Sequence, residues 1–411
     1  ADVDQEMVAQ ARAYSQSYAS VFSEDAPPSF IDLGHFVELL LEDIDDPDVR
    51  GAAQEVMSAL EQAVVAEMHG EDRPGSSGLS IYFPNSSEYS FTFDEPEINY
   101  PSSIGRFTTA SLWDDYLTFH YTGEAFAAGD ADVAVVTPEE AEQTAAYFME
   151  AVEESAPAED ADIVGPGAGG LTIAPLSVSA TEIDPDGTVT LSTDVTGTNI
   201  AYVYYYVSYY WEDDGSYLTA DAGFVEPGYI KEINGVYYPD WGEEGVVPIE
   251  YEWEPTMWYM SDGNEENDQF AFFEPTVYGA SPEEDIYTVR GTYTFLDSGT
   301  QMEAEIDFSG DGEMQSVWGF TGDEDGSGIG TWYEITPTPG DTFTITEEYL
   351  EFAESPEGEF VDYPGGVMTF GDTPFTMVAY YAYPGSYALA IGVEDLDGNV
   401  TWEFAEVTVT E

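Results

Sequence analysis

Cysteine is absent from the 411 residues, and positive charge nearly so: six Lys and Arg stand against 84 Asp and Glu, a formal charge of −78. Without a thiol the chain forms no disulfide, holds no Cys-ligated zinc and offers no cysteine nucleophile. A surface this acidic is repelled by phosphate backbones, which excludes nucleic-acid binding by a basic face. Anionic membrane surfaces are disfavoured for the same reason. Long apolar runs are also missing. No segment approaches the ~18 consecutive apolar residues of a membrane span, so no membrane insertion is expected. The start, Ala1-Asp2-Val3-Asp4, has neither the basic nor the apolar region of a signal peptide. It reads as a processed or truncated end.

What is present argues against disorder. Hydrophobic residues make up 43% and aromatics 15%, with 30 Tyr, 23 Phe and 8 Trp, enough for packed cores. The length allows roughly two to four domains. Helical periods dominate up to residue 155, and strands and turns follow. Val3, Met7, Ala11, Tyr14 and Tyr18 share one side of a first helix, and a second is expected over His35–Leu41. Asp46-Pro47 is a helix start, followed by an apolar stripe of Val49, Ala53, Val56, Leu60, Val64 and Met68. Gly78–Pro84 reads as a buried strand, and Trp113, Tyr116, Leu117 and His120 as a helix ending near Gly123. Thr137-Pro138-Glu139-Glu140 is a capping box opening a helix to about Ser155. The Gly/Pro-rich acidic stretch 155–170 is a linker. Beyond it period-2 alternation takes over, as in Val189/Leu191 and Tyr387/Leu389/Ile391/Val393. Two β-sandwich domains are expected, 171–290 and 291–411.

Common catalytic signatures fail. Gly78-Leu79-Ser80-Ile81-Tyr82 begins like a nucleophile elbow but lacks the closing Gly. Lys231 has no Gly-rich phosphate loop before it. His35, His69 and His120 fit no zincin pattern and read as structural histidines. Among 84 acids, a carboxylate pair spaced for glycoside hydrolysis arises by chance. Calcium is the expected cofactor. Asp323-Glu324-Asp325-Gly326 and Asp395-Leu396-Asp397-Gly398-Asn399 each place carboxylates two apart before a Gly, as does Asp184-Pro185-Asp186-Gly187. Asp323, Asp325, Asp395, Asp397 and Asn399 are the candidate ligands. The same residues also suit plain tight turns, and both readings stay open. Tyr202–Trp211 would make a strand aromatic on both faces, either covered or a platform for sugar rings.

Gly78-Leu79-Ser80-Ile81-Tyr82-Phe83-Pro84 resembles the late core strand of clostripain-like cysteine peptidases, a caspase-like family. Ile31-Asp32-Leu33-Gly34-His35-Phe36, the Ala-rich helix over Val49–Met68 and Leu112-Trp113-Asp114-Asp115-Tyr116-Leu117 resemble its neighbouring segments, in the same order. The resemblance covers roughly residues 5–122. It implies an α/β caspase-like C-terminal portion over residues 1–125, a helix and linker over 126–170, then all-β immunoglobulin-like sandwiches. The family's catalytic His and Cys precede this region, so no catalytic residue transfers to any position here. The resemblance thus implies a C-terminal chain of a secreted or cell-surface endopeptidase. Its expected partners are an N-terminal chain bearing the catalytic His and Cys, and a protein or peptide substrate. The alternatives are a non-catalytic surface protein that self-associates, or a pair of carbohydrate-binding modules.

Overall fold

A computed structural model describes residues 5–18, 29–69, 75–89, 100, 104–123, 171–211, 215–242, 245–322, 331–352 and 359–410. They fall into two units. The first draws on residues 1–19, 27–170 and 395–399, and the second on 20–26, 171–394 and 400–411. The capping-box helix and the Gly/Pro linker lie outside the described residues.

In the first unit, helices surround a small antiparallel sheet. Helix Gln5–Tyr14 buries Val8, Ala9, Ala11 and Arg12 and stops short of the expected Tyr18. Ser17 and Tyr18 pair instead with Ile31 and Phe30, so the sheet claims them. Phe30–Asp32 pairs on its other side with Ser80–Tyr82. Asp32 then caps helix Leu33–Asp43 by accepting from His35 N. Asp46 caps Pro47–Ala63 with Pro47 in the first turn, as the sequence predicts. Helix Trp113–Thr122 ends at Gly123, whose φ of 74° suits a residue without Cβ.

Phe83 centres this unit. It is wholly buried, and the rings of Phe36, Trp113, His120 and Tyr121 meet it edge-on at 5.2–6.4 Å. Trp113 Nε1 donates to Tyr82 O at 2.6 Å, and Tyr121 Oη to Pro84 O. Helix and strand are therefore joined by bonds as well as packing.

The second unit is built from sheets. One orders Val246–Trp253, Val189–Thr196 and Thr172–Ile173. Val189, Leu191 and Val195 alternate inward with Ile249 and Trp253. They share a core with Val203, Val207, Leu389, Ile391, Val393, Val407 and Val409 from a much longer sheet. That sheet has a second core of its own, formed by Val289, Ile306, Phe308, Phe343 and Ile345 with Met260, Phe273 and Phe375. Strand Thr342–Glu351 bridges both regions of the sheet. Its first residues pair with Ile286–Thr294, and Tyr349 and Leu350 with Ser216–Phe224. Residue 290, the expected boundary, lies inside strand Ile286–Thr294, and the last strands supply the first core. Asn234 and Gly235, both at positive φ, form the hairpin turn between Ile230–Ile233 and Val236–Pro239.

Beyond residue 106 the sequence offers an Arg/Lys-specific protease two sites, Lys231 and Arg290. Lys231 sits in a two-stranded hairpin. Arg290 is paired mid-strand, and its guanidinium donates to Glu348 at 3.0 Å and Asp362 at 3.3 Å. Limited trypsin digestion is expected to cut after Lys231 well before Arg290. Equal rates at the two bonds, read by mass spectrometry of early fragments, would contradict this protection.

Candidate functional site

The first unit holds a fully buried ionic group. Asp397 Oδ1 accepts from Arg12 Nε at 3.2 Å, and Oδ2 lies 3.0 Å from His120 Nε2. Arg12 also donates to Leu396 O, and Ser86 N to Asp397 O at 2.8 Å. Nδ1 of His120 is 3.1 Å from Gln5 Oε1, which Tyr116 Oη also reaches. Burial alone would push the Asp397 carboxyl up, but His120 and Arg12 outweigh it and hold the group below the usual carboxylate range. With both ring nitrogens engaged and no exposure, His120 is positioned for structure rather than for proton transfer to a substrate.

The other histidines have more local duties. His35 Nδ1 accepts from Gln16 N at 3.0 Å beside the Asp32 cap. Asp32 is itself fully buried, taking His35 N at 2.9 Å, Ser77 N at 2.7 Å and Ser77 Oγ at 2.5 Å. His69 is exposed and pairs with Glu67 two residues away.

Of the expected calcium ligands, Asp323 and Asp325 lie outside the described residues. Asp395, Asp397 and Asn399 do share one tight turn, with Gly398 at φ 83°. Their oxygens point to different partners. Asp395 accepts from Asp397 N, Asn399 N and Asn399 Nδ2, each at 2.9 Å, while Asp397 faces Arg12 and His120. Burial raises Asp395 to about 6. Asp184 closes the other turn, its backbone O taking Gly187 N and its carboxylate taking Thr410 Oγ1. Among the described residues, no group of three or more His, Asp or Glu is arranged to hold a metal.

The tyrosine-rich run forms strand Ile200–Trp211. Tyr205 and Tyr209 pack on the first core alongside Val203 and Val207. On the opposite face Tyr202 stacks on Tyr238, Tyr204 packs against Phe224, and Tyr206 meets Phe272 and Trp402 edge-on. The strand is therefore covered on both faces for most of its length. Its end is different. Tyr210, Gly215, Tyr217, Phe352, Ser386, Tyr387 and Glu406 line a cavity of about 550 Å³. Tyr210 and Tyr217 are 4.9 Å apart at 45°, and Phe352 meets Tyr217 edge-on at 6.2 Å. Trp211, the sugar platform suggested by the sequence, is 38% exposed but does not line this cleft.

Periodicity gave no sign of one group. Asp221, in strand Ser216–Phe224, is buried under Tyr205, whose ring stacks on Tyr251 at 4.0 Å and 11°. Tyr205 Oη is 3.5 Å from Asp221 Oδ1. Desolvation raises the Asp221 carboxyl to about 8, against weaker lowering by Trp258, Tyr205 and Ala222 N.

No family model matches this chain, and none of the curated proteins does. Among solved structures, the native conformation of E. coli alpha-2-macroglobulin aligns at 9% identity and a TM-score of 0.11. The alignment covers 58% of this chain but only 16% of that one. The tetra-tandem repeat in the extending region of a large adhesion protein aligns at 13% identity and a TM-score of 0.09, over 59% of this chain and 74% of that one. Neither score supports an argument.

Asp221 has a measurable consequence. Between an unfolded value near 3.8 and the folded value near 8, the unfolded state has lost a proton that the folded state keeps. Stability therefore falls as pH rises through that window, by on the order of a few kcal/mol, and levels off above it. Urea titrations should show the parent losing stability relative to Asp221→Asn between about pH 4 and 8. Parallel pH profiles for the two proteins would refute a raised Asp221.

Proposed function

We propose that this chain is the non-catalytic part of a secreted clostripain-like cysteine peptidase. In this reading residues 1–125 complete a caspase-like domain, and the immunoglobulin-like β-region docks or anchors it. The supporting observation is helix Pro47–Ala63: it rests Ala53 and Met57 on the core of its unit, but of its 17 residues only Leu60 is fully buried. Val56, in the expected apolar stripe, is 37% exposed, and beyond the helix Val65 and Met68 are 98% and 96% exposed. An amphipathic helix this long draws its stability chiefly from a packed apolar face. The reading supplies a cover for it, an N-terminal chain carrying the catalytic His and Cys.

The chemistry would belong to that chain: a Cys thiol gives its proton to the His and attacks a peptide carbonyl, the C–N bond breaks as the amine leaves with that proton, and water then hydrolyses the acyl-enzyme. The residues here would contribute packing, with the Asp397 and Asp32 networks fixing the shape of the contact region. Purification from the native source is expected to bring down a second chain of caspase-like sequence, visible by gel and mass spectrometry. A chain that purifies alone, from a gene whose upstream region encodes no His/Cys pair, would overturn the proposal.

Calcium belongs to the same reading, at the acidic stretch around Asp323–Asp325, since the Asp395 and Asp397 carboxylates are already engaged by Asn399, Arg12 and His120. Millimolar calcium is expected to raise the thermal midpoint, and a chelator to reverse the rise. An unchanged midpoint would remove calcium from the proposal.

A further inference from the structure

We propose that the cleft at the end of the tyrosine-rich strand binds a guanidinium or ammonium side chain presented by a basic partner polypeptide. Its volume, about 550 Å³, is in the range of small-ligand pockets. Three aromatic rings in mutual contact line it: Tyr210 and Tyr217, inclined to each other, and Phe352 against Tyr217. Tyr387 also lines it, with its ring on the core side against Tyr209 and Trp253.

The polar complement decides between ligand classes. Besides the Tyr210 and Tyr217 hydroxyls, the lining side chains supply the Ser386 hydroxyl and one carboxylate, Glu406, the Tyr387 hydroxyl being given to Tyr383 O. Strand register explains the carboxylate. Val407 and Val409 point into the core, so Glu406 faces outward opposite Ala388, on the same face of the strand pair as Ser386, two residues along. No described Lys or Arg forms an ion pair with it, and it lies near enough to Tyr217 to help raise that phenol. Aromatic faces around an anion form the environment that attracts an organic cation, because ring quadrupole and carboxylate act in the same direction. A sugar calls instead for an open stacking face ringed by donors and acceptors. The chain has six cations of its own against 84 acids, so a second copy is a poor source of the side chain. A basic partner is drawn in by the same field.

This inference is independent of the peptidase reading and survives or fails separately from it. The probes are Nα-acetyl-arginine amide and Nα-acetyl-lysine amide, titrated calorimetrically into the whole chain at low and moderate salt. One-to-one saturable binding is expected. Glu406→Gln should weaken it at least about tenfold and Tyr217→Ala should abolish it, with thermal midpoints near that of the parent. Glu303→Gln removes an exposed carboxylate on another strand and should have no effect, which separates a site from general attraction to an acidic surface. Free arginine, carrying its own carboxylate, should bind more weakly than the capped amide. The proposal is overturned by equal losses in Glu303→Gln and Glu406→Gln, by the absence of saturation, or by cellobiose or maltose binding in preference to the capped amides.

Discussion

Scarcity of positive charge is the constraint from which most of this structure follows. Arg12 is committed to Asp397 deep in the first unit, and Arg50 donates to Leu41 O and Ile44 O near the end of the preceding helix. Arg290 serves Glu274, Glu348 and Asp362 together. Several carboxylates in the β-rich unit take tyrosine hydroxyls as donors instead. Tyr204 donates to Glu394, Tyr206 to Glu348, Tyr278 to Glu226, Tyr293 to Asp341, Tyr363 to Glu351 and Tyr380 to Asp268. Hydrogen bonds to a charged acceptor are stronger than neutral ones, and the ring buries apolar area as well. A single residue type thus fills the core and quiets the acids. The high tyrosine count and the near absence of lysine belong to one solution.

Buried acids show the same economy. Asp32 is held by backbone N–H groups and a serine, Asp397 by Arg12 and His120, and Asp221 only by weaker donors, Trp258, Tyr205 and Ala222 N. Asp397 is stabilised as an anion. Asp221 is relieved by keeping its proton, which in a low-dielectric interior costs less than an unpaired charge. Solvation differs at each site although the side chain is the same.

Much of the local structure could be read in advance. Asp46-Pro47, Gly123 and the alternation at Val189 and Leu191 each carry their mechanism in adjacent residues, and each lies where expected. Signals that depend on distant partners were silent. Tyr18 sat in phase with a helix but joined a sheet because Phe30 was there to pair with it. Asp397 looked like a turn ligand, and only the fold reveals that Arg12 and His120, hundreds of residues away, occupy its oxygens. The aromatic strand was legible as unusual. Its one open end was not, because Phe352 and Glu406 come from elsewhere in the chain.

The tyrosine–carboxylate bonds also shape how the protein meets alkali. Burial and a neighbouring anion both oppose phenolate formation, so Tyr204, Tyr206 and Tyr278 are raised far beyond the ordinary range. Tyr380 is raised to about 12, chiefly by its bond to Asp268. Tyr204 and Tyr206 in particular resist ionisation while the sheets hold, so the tyrosinate they contribute to the ultraviolet band would report their own unfolding.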